Sequence, residues 1–222
     1  KTAAFALPLL AHIDADDPRV QALVLTPTRE LAMQGAEAVE SFASRSRGLD
    51  VVAVYGGSPY GPQLRALEHG AQVVVGTPGR IMDLMDRGDL LLDAVRYFVL
   101  DEADEMLRMG FADDVETIAS DLPAERISAL FSATMPPAIR RVAERHLRDP
   151  EEVTISRPAT TVSTVRQTFA VVPERNKVSA LARVLAVTEA DAALVFVRTR
   201  STAEDLAVEL GARGVASAAL SG

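Results

Sequence analysis

The sequence predicts an α/β protein: a mainly parallel sheet covered by helices on both faces, followed by the beginning of a second unit on the same plan. Three observations carry this. Short, nearly continuous apolar runs recur, separated by longer amphipathic stretches. Strands that are apolar at every position, rather than at alternate ones, are buried on both faces, as parallel strands are. And the order strand, helix, strand is the connection that parallel pairing requires.

Taken in order, an apolar amphipathic helix follows "KT" at residues 1–2. "ALVLT" (22–26) reads as the first strand and Arg29 to Ser46 as the helix after it. "VVAVY" (51–55) and "QVVVG" (72–76) are the next strands, with a helix from Pro78 to Arg87. "VRYFVL" (95–100) and "ISALFSAT" (127–134) complete the set, and a helix from Pro136 to Arg148 follows. "DPEEVTISRPATTVSTVRQ" then mixes prolines with small polar and β-branched residues, which marks a linker, with one short strand near Val153 to Ile155. The alternation resumes with "RQTFAVV" as strand, Glu174 to Val187 as helix, "AALVFV" (192–197) as strand, Ser201 to Ala212 as helix and "VASAAL" (215–220) as strand. The domains are therefore read as 1–155, a linker at 156–165, and 166–222. Three strands and two helices are too few to close a covered parallel sheet. The chain thus reads as a fragment whose second half has an exposed sheet edge, a hazard for self-association; the sequence leaves its oligomeric state open.

Composition narrows the function. Hydrophobic residues at 48% and charged residues at 24% are ordinary for a soluble globular protein. No apolar run approaches the ~18 residues that would span a bilayer, so no membrane partner is expected. The absence of cysteine excludes disulfides, thiolate zinc sites and thiol catalysis, and fits a cytoplasmic location. His12, His69 and His146 lack ligand spacing, so each is read as a surface residue and no histidine metal site is expected. A net charge of −8 argues against non-specific coating of nucleic acid, so any nucleic-acid site must be local. "RRVAERHLR" (140–148) is interrupted by Glu144 and reads as a solvated helix face. The methionines of "MLRMGF" (106–111) read as core packing.

The stretch "YFVLDEAD" (97–104) raises the functional question. A core strand runs directly into Asp101, Glu102 and Asp104. Unpaired buried carboxylates cost several kcal/mol, so these acids either cap the next helix in water or hold something. The other segments where a predicted strand ends are "LTPTRELA" (25–32), "YGG" (55–57), "GTPGR" (76–80) and "FSAT" (131–134). Singly, Pro27-Thr28-Arg29 and Thr77-Pro78 are plausible helix starts, Gly56-Gly57 a plausible turn. Together they lie on one edge of the predicted sheet, the carboxyl edge where such sheets bind ligands.

In wording and order this set resembles the DEAD-box ATP-dependent RNA helicases, of the bacterial type. The resemblance covers essentially the whole chain: residues 1 to about 155 are similar to the first RecA-like domain from the tail of its phosphate loop onward, and those from about 165 to the opening of the second, truncated lobe. It implies an ATPase that binds RNA and locally unwinds duplexes, with ATP and Mg²⁺ as cofactors. By that resemblance Lys1 and Thr2 end the phosphate loop, Thr2 and Asp101 hold Mg²⁺ (partly through water), and Glu102 orients and deprotonates the attacking water. Asp104, bonded to Ser132 or Thr134, couples nucleotide state to RNA grip. Pro27, Thr28, Arg29, Gly56, Gly57, Thr77, Gly79 and Arg80 line a sequence-independent RNA groove, with Thr199 and Arg200 of "VFVRTR" on its far wall. The glycines of the phosphate loop, the adenine-recognising segment and the later second-lobe motifs, with their arginines, are not in the sequence. "ALSG" (219–222) carries serine where the family usually has histidine. The sequence leaves two other readings open: a non-hydrolysing RNA- or protein-binding fragment, and a DNA-directed translocase, which a comparison of RNA with DNA stimulation separates.

Overall fold

In a computed structural model, residues 1–44, 48–154 and 165–220 are described. The chain divides into two compact units, Lys1–Glu152 and Val153–Gly222.

The first unit holds a five-stranded, all-parallel sheet in the order β2-β3-β1-β4-β5. The strands are β1 (Ala22–Leu25), β2 (Val51–Val54), β3 (Val73–Gly76), β4 (Tyr97–Leu100) and β5 (Ile127–Leu130). Its helices are α1 (Thr2–Ala11), α2 (Arg29–Ala43), α3 (Tyr60–His69), α4 (Pro78–Asp86), α5 (Ala103–Arg108), α6 (Ala112–Asp121) and α7 (Pro137–His146). Side chains alternate across the sheet. Leu23, Leu25, Val54, Val74, Phe98 and Leu100 enter one core with Ile81, Leu84, Met106, Ile118 and Ile139 from α4 to α7. Ala22, Val24, Val73, Val75, Tyr97 and Val99 enter the other with Phe5 and Leu9 of α1 and Ala32, Ala36 and Val39 of α2. β1, β3 and β4 are buried at every position, which is why they read as unbroken apolar runs; β5, at the edge, is only partly covered.

The register fixes where function can sit. Leu25 pairs with Gly76 and Leu100, Val54 with Gly76, and Leu130 with Leu100. The last residues of all five strands therefore form one row, and whatever follows each strand leaves the sheet on the same edge. Gly76 is needed there, because a Cβ would stand 2.6 Å from the Val54 carbonyl oxygen and 2.8 Å from Ile81 Cδ1. At the opposite edge, buried amides tie down loops: Gln21 bonds the backbone of Asp14 and Asp17, and Gln72 that of Gly48 and Asp50.

The structure differs from the sequence expectation at His146 and Met109. The His146 side chain is only 6% exposed and meets Glu116 at 2.8 Å, so it fastens α7 to α6 rather than lying on the surface. Arg145 contacts the same carboxylate at 2.8 Å, and these bonds, His146 first, hold the Glu116 pKa below its ordinary value. Met106 is fully buried, but Met109 is 47% exposed and is not core.

The second unit contains a short 3₁₀ turn at Glu174–Asn176, then α8 (Lys177–Val187) and α9 (Arg200–Gly211). The strands expected at 166–172, 192–197 and 215–220 do not form: none of these segments pairs into a sheet. Their apolar side chains stay in water, with Phe169 93% and Phe196 92% exposed. A parallel strand is stable only when neighbours and helices cover it, and these segments lack that cover. Among the residues of the expected linker, 156–164 lie outside the described residues, as does Ile155 of the short strand expected before it.

Candidate functional site

Along the carboxyl edge the strand order places segments side by side that are far apart in sequence. From one side the row runs Gly56-Gly57 (after β2), Thr77 to Arg80 (after β3), Pro27 to Arg29 (after β1), Asp101 to Asp104 (after β4) and Ser132 to Thr134 (after β5). Backbone bonds stitch the row just past the strands: Thr77 N–H donates to Val54 O, Thr26 to Gly76 O, Asp101 to Leu25 O and Phe131 to Leu100 O, all at 2.8–2.9 Å.

At the β4–β5 end lies an acidic cluster. Glu102 has φ 54° and ψ 48°, left-handed geometry that is strained for a residue with a side chain. α1 begins beside it, with Phe5 packed on Phe131 at 5.6 Å between ring centres, and this brings Lys1 Nζ within 2.8 Å of Glu102 Oε1. Asp101 accepts the Glu102 N–H at 3.0 Å. Burial, reinforced by the neighbouring Glu102 charge, pushes the Asp101 pKa up, while Lys1 pulls the other way. A carboxylate held in this way is a site that gains from a cation. Among the described residues no group of three or more His, Asp or Glu forms a metal cage. Mg²⁺ needs none, since it is commonly held by one or two carboxylates plus phosphates and water; the desolvated Asp101 carboxylate suits that role, and Thr2 is the first residue of α1, the helix that begins beside Glu102.

Asp104 is engaged differently. Its carboxylate accepts the Thr134 hydroxyl at 2.6 Å, the Thr134 N–H at 3.0 Å and the Ala133 N–H at 3.4 Å. Its own N–H donates to Ser132 Oγ at 3.2 Å, and that hydroxyl donates onward to the Thr134 carbonyl at 2.7 Å. Burial alone would raise the Asp104 pKa, but the bonds from Thr134 and the neighbouring Ser132 and Ala133 outweigh it and lower it to about 2. The β4 and β5 loops are therefore joined through one ionised side chain, and both Ser132 and Thr134 take part.

At the β2–β3–β1 end the character changes. Gly56, Gly57, Gly79 and Arg29 are exposed, Thr28 and Thr77 half-buried, and Pro27 buried. No atom would obstruct a Cβ at Gly56 or Gly79, so the backbone lies open there. Gly57 has φ 74°, which a side chain would strain. Arg29 lies over the Tyr55 ring at 5.5 Å, beside Gly57. Thr28 caps α2 by accepting the Leu31 N–H at 3.3 Å. Arg80 departs from the expectation: its side chain is 7% exposed, stacked on Tyr60 at 4.0 Å and bonded to Ser58 O at 3.0 Å. Its guanidinium braces the Gly56-Gly57 loop instead of facing the open edge.

In the second unit, Thr199 and Arg200 repeat the local geometry of Thr28 and Arg29. Both threonines are extended (φ −130° and −132°) and cap the helix that the arginine begins, Thr199 through the Thr202 N–H at 3.2 Å.

Residues 1–142 match the family model of the DEAD/DEAH box helicases. The chain belongs to this family. It is 51% identical over its full length to the ATP-dependent RNA helicase DeaD of Escherichia coli K12, covering 35% of that protein, and 51% identical to the DeaD helicase of Mycobacterium tuberculosis, covering 39%. Among solved structures, a DEAD box protein from Methanococcus jannaschii matches 96% of the chain and 56% of its own at 40% identity, TM-score 0.65. A variant of Saccharomyces cerevisiae Dbp5 bound to RNA and ADP BeF3 matches 97% of the chain and 54% of its own at 31% identity, TM-score 0.78. The parallel sheet with helices on both faces is thus the RecA-like fold of DEAD-box proteins, and the chain spans about a third of the length of its curated relatives.

Sequence reasoning missed one residue of this edge. Gln63, 5% exposed, bonds the Tyr55 N–H and the carbonyls of Tyr55 and Pro59. Its signal was weak: a lone glutamine on an amphipathic helix carries no motif.

Proposed function

We propose that this chain is the core portion of an ATP-dependent RNA helicase, which grips RNA by its backbone and opens duplexes locally with ATP hydrolysis. The observation that carries this reading is the division of one sheet edge: a cluster of acids after β4, one of them bonded to the β5 loop, and open glycines and helix starts after β2, β3 and β1. Lys1, now paired with Glu102, is the cation that reaches the ATP phosphates, and its departure frees the Glu102 carboxylate to orient and deprotonate a water. Asp101 and Thr2 would hold Mg²⁺, which would supply neutralisation of the phosphate charge. Through its bonds to the β5 loop, Asp104 transmits the state of this end of the edge, the coupling role proposed with Ser132 and Thr134.

RNA lies across the other end. Exposed Gly56, Gly57 and Gly79 let a sugar-phosphate strand approach the backbone, Thr28 and Thr77 stand at helix starts where N–H groups favour phosphate, and Arg29 adds charge. Pro27 shapes the chain into α2, while Thr199 and Arg200 supply contacts from the second unit. Such contacts read backbone and 2′-hydroxyls, not bases. The M. tuberculosis and E. coli relatives being named RNA helicases supports RNA over DNA. The cysteine-free composition supports a cytoplasmic setting. The test is ATP hydrolysis by the full-length protein with and without RNA, beside Glu102→Gln. Turnover that RNA stimulates and Glu102→Gln abolishes is expected; stimulation by DNA alone would reverse the choice of partner.

A further inference from the structure

We propose that Gln63 is a positioning residue for RNA: its amide sets the shape of the Gly56-Gly57 loop so that the two glycine peptides meet the strand already in place. The inference rests on the reading of this edge as an RNA surface.

Gln63 lies in α3, the helix that follows the loop, and its side chain turns back beneath it. Nε2 donates to Tyr55 O at 3.2 Å and to Pro59 O at 3.4 Å, and Oε1 accepts Tyr55 N–H at 3.1 Å. One buried amide thus ties both ends of the five-residue segment 55–59, using both donors. The opposite amide orientation would set an oxygen against two carbonyls, so the chemistry selects this one. Glutamate supplies no donor there when ionised, and asparagine is one methylene shorter.

A second set of contacts comes from α4. Arg80 donates to Ser58 O at 3.0 Å, the Tyr60 hydroxyl donates to Asp83 at 2.6 Å, and the Tyr60 ring is flanked by Arg80 at 4.0 Å and Arg87 at 4.6 Å. Tyr55, Ser58, Pro59 and Tyr60 are therefore all held. Gly56 and Gly57, both exposed, take part in none of these bonds. The loop is rigid at its ends and open at its apex, which suits backbone N–H groups presented to an incoming phosphate. Ordering a loose loop on binding costs backbone conformational entropy at every residue that is fixed. Here that cost is met during folding, and affinity benefits.

The experiment uses the full-length protein, a fluorescein-labelled oligouridylate and a non-hydrolysable ATP analogue. Anisotropy gives the RNA Kd, and RNA titration of ATP hydrolysis gives the half-saturating RNA concentration and kcat. Gln63→Met, of similar length without polar atoms, is expected to raise the RNA Kd and half-saturating concentration ~10-fold, while kcat at saturating RNA and nucleotide affinity stay unchanged. Tyr60→Leu, at a partly exposed position, loosens the same loop from the other side, is read if Gln63→Met does not fold, and is expected to raise them ~3-fold. Wild-type RNA affinity retained in these variants overturns the proposal, as does a fall in nucleotide affinity or kcat alongside RNA affinity, which marks a merely structural role. A wild-type protein that hydrolyses ATP without binding RNA overturns the RNA reading itself, independently of Gln63.

Discussion

The bond network at Asp104 makes a quantitative prediction about acid stability. Its pKa falls from an ordinary 3.8 to about 2, and at about 1.36 kcal/mol per unit the ionised side chain contributes at most ~2.4 kcal/mol to folding. The network sits at the solvent edge of the sheet, so screening brings the usable value to roughly 1–2 kcal/mol. The sign follows from the depressed pKa: the contribution is complete well above 3.8, falls by about half near pH 3, and is mostly gone near pH 2. Urea unfolding of the wild type and of Asp104→Asn at pH 7, 4 and 3 isolates it, because other carboxylates titrate in both proteins. The wild-type advantage should shrink as pH falls. Thr134→Val, which removes the 2.6 Å donor at nearly constant volume, should cost ~1–2 kcal/mol at pH 7 and flatten the same dependence. A wild-type advantage that is equal at pH 7 and pH 3 would show that the β5 loop does not hold an ionised Asp104, and the proposed coupling would lose its physical basis.

Three further outcomes follow from the same edge. Gly76→Ala forces a Cβ to 2.6 Å from a backbone oxygen and should cost ~1–3 kcal/mol, read as a Tm lower by roughly 2–12 °C. Gly57→Ala should cost about 1 kcal/mol for its φ of 74°, whereas Gly56→Ala should leave Tm unchanged, yet both should weaken RNA binding in an anisotropy titration. Because its pKa is raised, ionised Asp101 opposes folding at neutral pH, and this penalty is absent below the unfolded value of 3.8. Asp101→Asn should therefore raise Tm at pH 7, lose that gain in acid, and abolish ATP hydrolysis.

Much of this architecture was legible because parallel strands are buried on both sides. Leu23, Val24 and Leu25 must all be apolar, so β1 appears as an unbroken run, and the same holds for β3 and β4. Strand ends follow from the same runs, and parallel pairing then places the quoted motifs on one edge. What sequence could not convey is direction. Arginine after Thr-Pro-Gly suggests a charge offered to a ligand, but the Arg80 side chain turns inward because Tyr60, Asp83 and the Ser58 carbonyl lie within its reach. Gln63 was invisible because its partners are backbone atoms, which any sequence supplies. The left-handed Glu102 was equally hidden, since no local residue type demands it. In the second unit the apolar runs were correctly seen but not their lack of partners: Phe169 and Phe196 stay exposed because a strand is defined by its neighbours, not by its own residues.

The buried Arg80 also decides how an acidic chain can hold RNA, and salt dependence measures it. For single strands log K falls with log salt by about 0.7 per phosphate neutralised. Among the proposed contacts with a cationic side chain, Arg29 and Arg200 are exposed and Arg80 is not. These residues should therefore contribute a slope near −1.4 rather than the −4 or so of a binder with six ionic contacts, the remainder of the grip coming from N–H groups that release no counterions. In the full-length protein other segments add their own slope, so differences are what matter. Arg29→Ala should flatten the slope by about 0.7. Arg80→Ala should leave it unchanged while still weakening binding, because it loosens the Gly56-Gly57 loop without removing a phosphate contact. If Arg80→Ala flattens the slope as much as Arg29→Ala, the Arg80 guanidinium must leave Tyr60 and Ser58 to meet RNA, and the bracing role assigned to it here fails.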